Sequence, residues 1–277
     1  MRILRDASAL GIPTIAGKRG FSVRKVHDSG GHPDRDPARI GAKPDTIRLR
    51  PVAFTFREPI AMSRSLTIDF ISDIACPWCA IGLSSLLLAL ERIGSDVDAH
   101  ILLHPFELNP DMPAEGESIV AYLGRKYGRT PEQIAETQAM IRARGAEVGF
   151  TFGRRDYVYN TFDAHRLLHW AGLENKQLPL KLALLQAYHT DGKATNDPDV
   201  LVSAAESVGL DGKQARTVLD SGAYADDVRL AEDRSSRMGI TSVPSIVLGR
   251  RYLVTGGQPV DAFERAIREI IAQPEQA

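Results

Sequence analysis

The order of elements along the 277-residue chain predicts an α/β domain interrupted by a large all-helical insertion. Three observations carry that reading. A strand–helix–strand unit stands at 65–108. Two strands and a helix close the chain at 244–273. Between them, from 117 to 238, the pattern is helical. From element order alone, a separate helical domain is the alternative.

The elements follow in order. "SLTIDFIS", 65–72, alternates and then runs apolar, as a buried strand does. "CAIGLSSLLLALERIG", 79–94, places Leu83, Leu86, Leu87 and Leu90 at helical spacing, and Gly94 stops it. "VDAHILLHPFEL", 97–108, reads as a second strand. The helical block opens with "ESIVAYLGRKYG" and a segment headed by Pro131, and continues through "FDAHRLLHWAG" and "LPLKLALLQAYHTDG". Its last pieces are capped at Asp197 and Asp211. "PSIVLG" and "RYLVTG", joined at Gly249-Arg250, read as a hairpin. "PVDAFERAIREIIAQ", 259–273, reads as the final helix. The expected boundaries are an N-terminal extension at 1–61, an α/β domain from 62–116 and 231–277, and an inserted helical domain at 117–230.

Composition narrows the function. The chain is 43% apolar and 25% charged, with a formal net charge of −1. That balance is globular and gives no reason to expect nucleic acid or a membrane surface as partner. No apolar run approaches the roughly 18 residues of a membrane-crossing helix. Charge is uneven: residues 1–61 carry 12 Lys/Arg against 6 Asp/Glu, whereas the remainder carries 22 against 29. The first segment also has six prolines and no sustained period, so it is expected to be disordered or to derive from an upstream start codon, with folded protein beginning near Met62. It lacks the apolar centre of a secretory signal, which makes a cytoplasmic address the expectation.

The only two cysteines lie in "ACPWCAIG", 75–82, three positions apart. A bridge so short stabilises little, so the pair calls for a chemical explanation. Cys76 at a helix start meets free N–H groups and the positive end of the dipole, which favour its thiolate. Cys79, one turn inward on the same face, is placed to attack a mixed disulfide at Cys76. Pro77 is tolerated in the first turn, and Pro77 and Trp78 between the thiols tune the couple. The expectation is an exposed, reactive Cys76 and a shielded, resolving Cys79. Two readings compete. Zinc needs two further ligands, which only the distant "HRLLH", 165–169, supplies. An inert buried pair needs nothing else.

"GITSVPSIVLGRRYLVTGG", 239–257, puts Pro244 at the first position of a strand, where proline is tolerated. A cis Pro244 beside the cysteine turn would leave the Val243 backbone free to pair with an extended substrate. Trp78 offers an apolar contact for peptide substrates. His165 is a candidate groove residue able to change charge near neutral pH, against a structural role. Asn160 is read as a helix cap. Asp69 and Asp73 would oppose thiol ionisation if close.

The chain from about 66 to 273 resembles the DsbA-family oxidoreductases of the FrnE-like group, on "SDIACPWCAIG", "HPFELNPDMPAEGE", "YNTFDAHRLLHWA" and "GITSVPSIVLGRRYLVTGGQP". The resemblance implies a thioredoxin-like fold with a helical insertion and dithiol–disulfide exchange without a bound cofactor or metal. It makes Cys76 the attacking thiol, Cys79 the resolving one and Pro244 the cis proline. The substrates it implies are disulfides of peptides, proteins or small thiols. Ala80 departs from the pattern, where an aromatic is common. A related branch, the kappa-class glutathione transferases and 2-hydroxychromene-2-carboxylate isomerases, has a serine-type residue at the position of Cys76. It supplies the alternative function, a glutathione-dependent transferase or isomerase of a small aromatic or polyketide-like substrate, and leaves glutathione open as a co-substrate. A third reading is a chaperone-like binding module indifferent to its thiols. Oligomeric state is left open.

Overall fold

The computed structural model describes residues 5–6 and 63–273. The expected disordered extension, 1–61, lies outside the described residues except at Arg5–Asp6, which forms a short strand. The elements are β1 (Arg5–Asp6), β2 (Arg64–Ser72), α1 (Pro77–Ile93), β3 (Val97–Pro105), β4 (Glu117–Ser118), α2 (Ile119–Tyr127), α3 (Pro131–Ala146) and β5 (Tyr157–Val158). Then come α4 (Phe162–Leu173), α5 (Gln177–His189), α6 (Pro198–Ser207), α7 (Gly212–Ser221), α8 (Ala225–Arg237), β6 (Ser245–Leu248), β7 (Tyr252–Thr255) and α9 (Val260–Ala272).

The main sheet has the order β1-β7-β6-β2-β3. β2 and β3 are parallel from Arg64↔Val97 to Ser72↔Pro105, joined through α1. β6 is antiparallel to both β2 and β7. The β6–β7 turn holds Gly249 at φ 59 and Arg250 at φ 57, the left-handed pair that a tight hairpin requires.

The strand period decides which residues meet which layer. Leu66, Ile68, Phe70, Ile246 and Leu248 face α1 and α9 and build a core with Leu83, Leu86, Phe263 and Ile267. Ile71 and Val247 face the other way, onto Ile240, Phe106 and Met238. A separate helical core is made by Leu167, Trp170, Leu180, Leu184, Tyr188 and Leu201, and it takes in Ile74 and Ala75 from the cysteine turn. Sheet and helical block belong to one compact unit, so the alternative of a separate helical domain is not what forms.

Local sequence accounts for three helix starts through side-chain caps. Thr130 and Gln133 make a capping box for α3. The Asp197 and Asp211 carboxylates accept N–H bonds at the starts of α6 and α7. Three expectations need correction. The boundary at 230/231 cuts through α8, which runs unbroken to Arg237. The strand expected to reach 108 ends at Pro105. The exclusion of a membrane-length helix also fails on composition: Pro77–Asp96 is long and apolar enough to cross a membrane. It is a central core helix here, its Leu83 and Leu86 fully buried against the sheet.

Candidate active site

β2 ends at Ser72, and residues 73–76 turn the chain into α1. Cys76 is the N-cap of α1, with extended backbone at φ −88 and ψ 113, and Pro77 occupies the first turn. Pro77 brings no N–H, so the first amides facing the sulfur belong to Trp78 and Cys79, the latter also donating to the Cys76 carbonyl at 3.0 Å. Both favour a negative sulfur at Cys76, and the Cys79 thiol, hydrogen-bonded to that sulfur, favours it most. Together they outweigh burial and the nearby Asp73 charge, and Cys76 is more acidic than an ordinary thiol. Cys79 moves the opposite way. Burial and the charge of Cys76 push it well up, and the Lys181 charge pulls back only in part. Both cysteines are free thiols.

One expectation is corrected. Cys76 is not openly exposed: it is 4% accessible, against 0% for Cys79. The cover comes from a distant segment. The Cys76 thiol points at the Val243 carbonyl oxygen, 3.8 Å from Sγ. The Val243–Pro244 peptide is cis, and the Pro244 carbonyl accepts the Gly256 N–H. Among the described residues, the Val243 N–H has no hydrogen-bond partner. The Pro244 ring lies on α1 where Gly82 leaves room: a Cβ there would stand 3.2 Å from Pro244 Cγ. Gly257 likewise admits Trp78, since its Cβ would stand 3.0 Å from the Trp78 carbonyl oxygen. Trp78 is therefore half-buried, packed against the sheet core, and only in part the open contact expected of it.

Polar groups surround the turn. Asp73 accepts the Ala75 N–H at 3.2 Å and the Leu108 N–H at 2.7 Å. Burial would raise its pKa, but His165, the Leu108 N–H and Thr161 outweigh it, and Asp73 sits below the usual carboxylate range. His165 does not line a groove. Its side chain is 2% exposed and its Nε2 lies 3.5 Å from Asp73 Oδ1. His169 stacks on Tyr224 instead, so the "HRLLH" pair diverges. Asp69 pairs with His104 at 2.9 Å. The N-cap of α4 is Thr161, not Asn160 as expected; Asn160 stands one residue earlier, and its Oδ1 accepts the Phe162 N–H at 2.8 Å. A surface cleft of 690 Å³ opens between Phe106, Glu107 and Pro110 and the α8 residues Arg229, Leu230 and Glu232. Phe106 packs in the same small cluster as Val243.

Sequence reasoning missed Lys181 and His189, both on α5 and both buried. The signal for Lys181 was its isolation as the single Lys, Arg, Asp or Glu in "QLPLKLALLQAYH". His189 Nε2 donates to the Ile74 carbonyl at 2.8 Å. Burial, reinforced by Arg155, keeps it well below the ordinary histidine range.

A parallel β-α-β unit, an antiparallel hairpin led by a cis proline, and two cysteines at a helix start define a thioredoxin-type fold of the oxidoreductase class. The family model for the DSBA-like thioredoxin domain matches residues 67–268, and the chain belongs to that family. A crystal structure described as a "probable DsbA oxidoreductase" from Streptomyces coelicolor is 32% identical, with a TM-score of 0.73 over 76% of this chain and 92% of that one. A 2-hydroxychromene-2-carboxylate isomerase shares the fold at 15% identity, with a TM-score of 0.59 over 74% of this chain and 95% of that one. An uncharacterized Bacillus subtilis protein, YwbO, is 28% identical over 73% of this chain and 96% of its own length.

Proposed function

We propose that the protein is a thiol–disulfide oxidoreductase whose Cys76–Cys79 pair exchanges with disulfides of peptides or small thiols. The observation that carries the reading is the placement of the two sulfurs: Cys76 caps the start of α1 against the cis Val243–Pro244 peptide, and Cys79 lies buried one turn inward. Cys76 is favoured as thiolate by the α1 amides and the Cys79 thiol, and Cys79 is held protonated beside it. The Val243 N–H supports it as a free donor for an extended substrate strand. The cover over Cys76 means that a substrate must displace the Val243 carbonyl contact as it docks.

In a thiol-driven disulfide-reduction assay, Cys76→Ser is expected to abolish turnover, and Cys79→Ser to accumulate the mixed disulfide, seen by mass spectrometry. Full turnover by Cys76→Ser would reject the assignment. Glutathione belongs in this proposal as the reducing thiol. Its other role, co-substrate of a transferase or isomerase, predicts activity that survives Cys79→Ser and disappears without glutathione.

A further inference from the structure

Beneath the cysteine turn lies a charge that the exchange described above does not use. Lys181 on α5 is 1% exposed. Among the described residues its ammonium has neither a hydrogen bond nor an ion pair. Its position is fixed from two sides. Leu180 and Leu184 belong to the helical core with Ile74 and Ala75. Leu182 and Leu185 belong to the sheet core with Ala80 and Ile81. Lys181 therefore occupies the seam between the two cores, where residues 74–79 run. Eight residues along α5, His189 fastens the helix to that turn through Ile74. The titratable groups around Lys181 are Cys79 on α1, Asp73 and Cys76 in the turn, and His189 on its own helix. Asp73 is already engaged by two N–H groups and His165. Asp73 keeps its charge there, and the sulfurs are the neighbouring groups whose ionisation a buried ammonium can still favour.

We propose that Lys181 is the counter-charge of the resolving cysteine, placed so that Cys79 can ionise and expel a bound substrate thiol. The proposal rests on the dithiol reading. In the step concerned, Cys76 Sγ is bonded to a substrate sulfur. Cys79 gives up its proton, its sulfur forms a bond to Cys76 Sγ, and the bond to the substrate sulfur breaks with its electron pair. The departing thiolate takes up a proton and leaves as a thiol. The cysteine pair ends oxidised and the substrate sulfur reduced. Lys181 acts through Cys79 and touches no substrate, so it is a positioning residue. The electrostatics run the same way. Burial lowers the lysine, the Cys79, Asp73 and Cys76 charges raise it, and the lysine in turn opposes the rise in Cys79.

Lys181→Met keeps the length of the side chain and removes its charge, a change that buried sites tolerate. Lys181→Leu is the second apolar variant. In a Cys76→Ser background, the ultraviolet absorbance of the Cys79 thiolate is titrated. Loss of Lys181 is expected to move the midpoint up by about one pH unit, a tenfold smaller thiolate population at fixed pH. With Cys76 intact, the mixed disulfide with a small aromatic thiol is expected to live about tenfold longer, while formation of that disulfide changes by less than about threefold. An unchanged Cys79 titration together with an unchanged mixed-disulfide lifetime, in a folded variant, overturns the proposal. Failure of the dithiol reading looks different: the Cys76→Ser parent itself would then turn over.

Discussion

Asp73 works against the ionisation of the thiol it stands beside. Its charge opposes the Cys76 thiolate, yet its two oxygens hold the Ala75 and Leu108 amides that shape the turn. Asp73→Asn should separate the two effects. Without the charge, the pH midpoint of Cys76 alkylation by iodoacetamide is expected to fall; a rise would contradict the sign assigned to Asp73. Losing one good acceptor should cost about 1–3 kcal/mol in chemical denaturation at neutral pH. The linkage sign follows from a folded pKa below the unfolded one. Asp73 contributes stability above its unfolded pKa of about 3.9 and loses it as pH falls through the lower folded value, so the variant should show a flatter acid limb. At this scale the sequence was legible where chemistry is local. The cysteine spacing, the proline before a strand and the Asn160 bond to the first turn of α4 each need only a few neighbouring residues. The exposure of Cys76 was misread because its cover arrives from Val243, 167 positions away. Lys181 stands out in its helix only by its isolation, and the turn that it and His189 pack beneath was not legible for the same reason: nothing in a helix sequence says what it will cover.

Two close approaches hold the elements of the site together. α1 meets the Pro244 loop at Gly82 and the segment after β7 at Gly257. Gly82→Ala improves the helix by about 1 kcal/mol in propensity but pushes a methyl against Pro244, a strain of about 1–3 kcal/mol. The net stability change should be small. The Val243 carbonyl should nevertheless shift from Cys76, so turnover is expected to fall several-fold while thermal unfolding moves little. An unchanged turnover would mean that the Gly82–Pro244 contact does not set the site. Gly257→Ala meets the Trp78 carbonyl, which is backbone and cannot yield as a side chain can. It should therefore destabilise more than Gly82→Ala in the same thermal melts. Element type and order were legible from hydrophobic period and turn residues, including the hairpin at Gly249-Arg250. The β4–β5 pair was not, because two-residue strands carry no period. The end of the insertion was misplaced because α8 is mostly polar and few of its residues are buried.

The molecule has two main cores with one seam. The helical core takes in Ile74 and Ala75, and the sheet core takes in Ala80 and Ile81, so the cysteine turn is a boundary they share. α5 contributes side chains to both. Neither core can lose its packing without exposing part of the other, and the insertion and the sheet are expected to unfold as one cooperative unit. The chain carries its own probes. Of its two tryptophans, Trp170 is buried in the helical core and Trp78 packs against the sheet core. Trp170→Phe leaves fluorescence to report the sheet side, and Trp78→Phe leaves it to report the helical side. In each variant, the fluorescence midpoint in denaturant should coincide with that from far-ultraviolet circular dichroism. A helical side that melts first, at a separate midpoint, would show that the seam does not couple the cores. The same experiment on the Lys181→Met protein joins this scale to the site. Removing a buried charge whose pKa burial lowers should raise stability at neutral pH, by an amount that shrinks as pH climbs towards the ordinary lysine value of about 10.4. A variant more stable than its parent yet slower to release its mixed disulfide would place the cost of that lysine in the fold and its use in the chemistry.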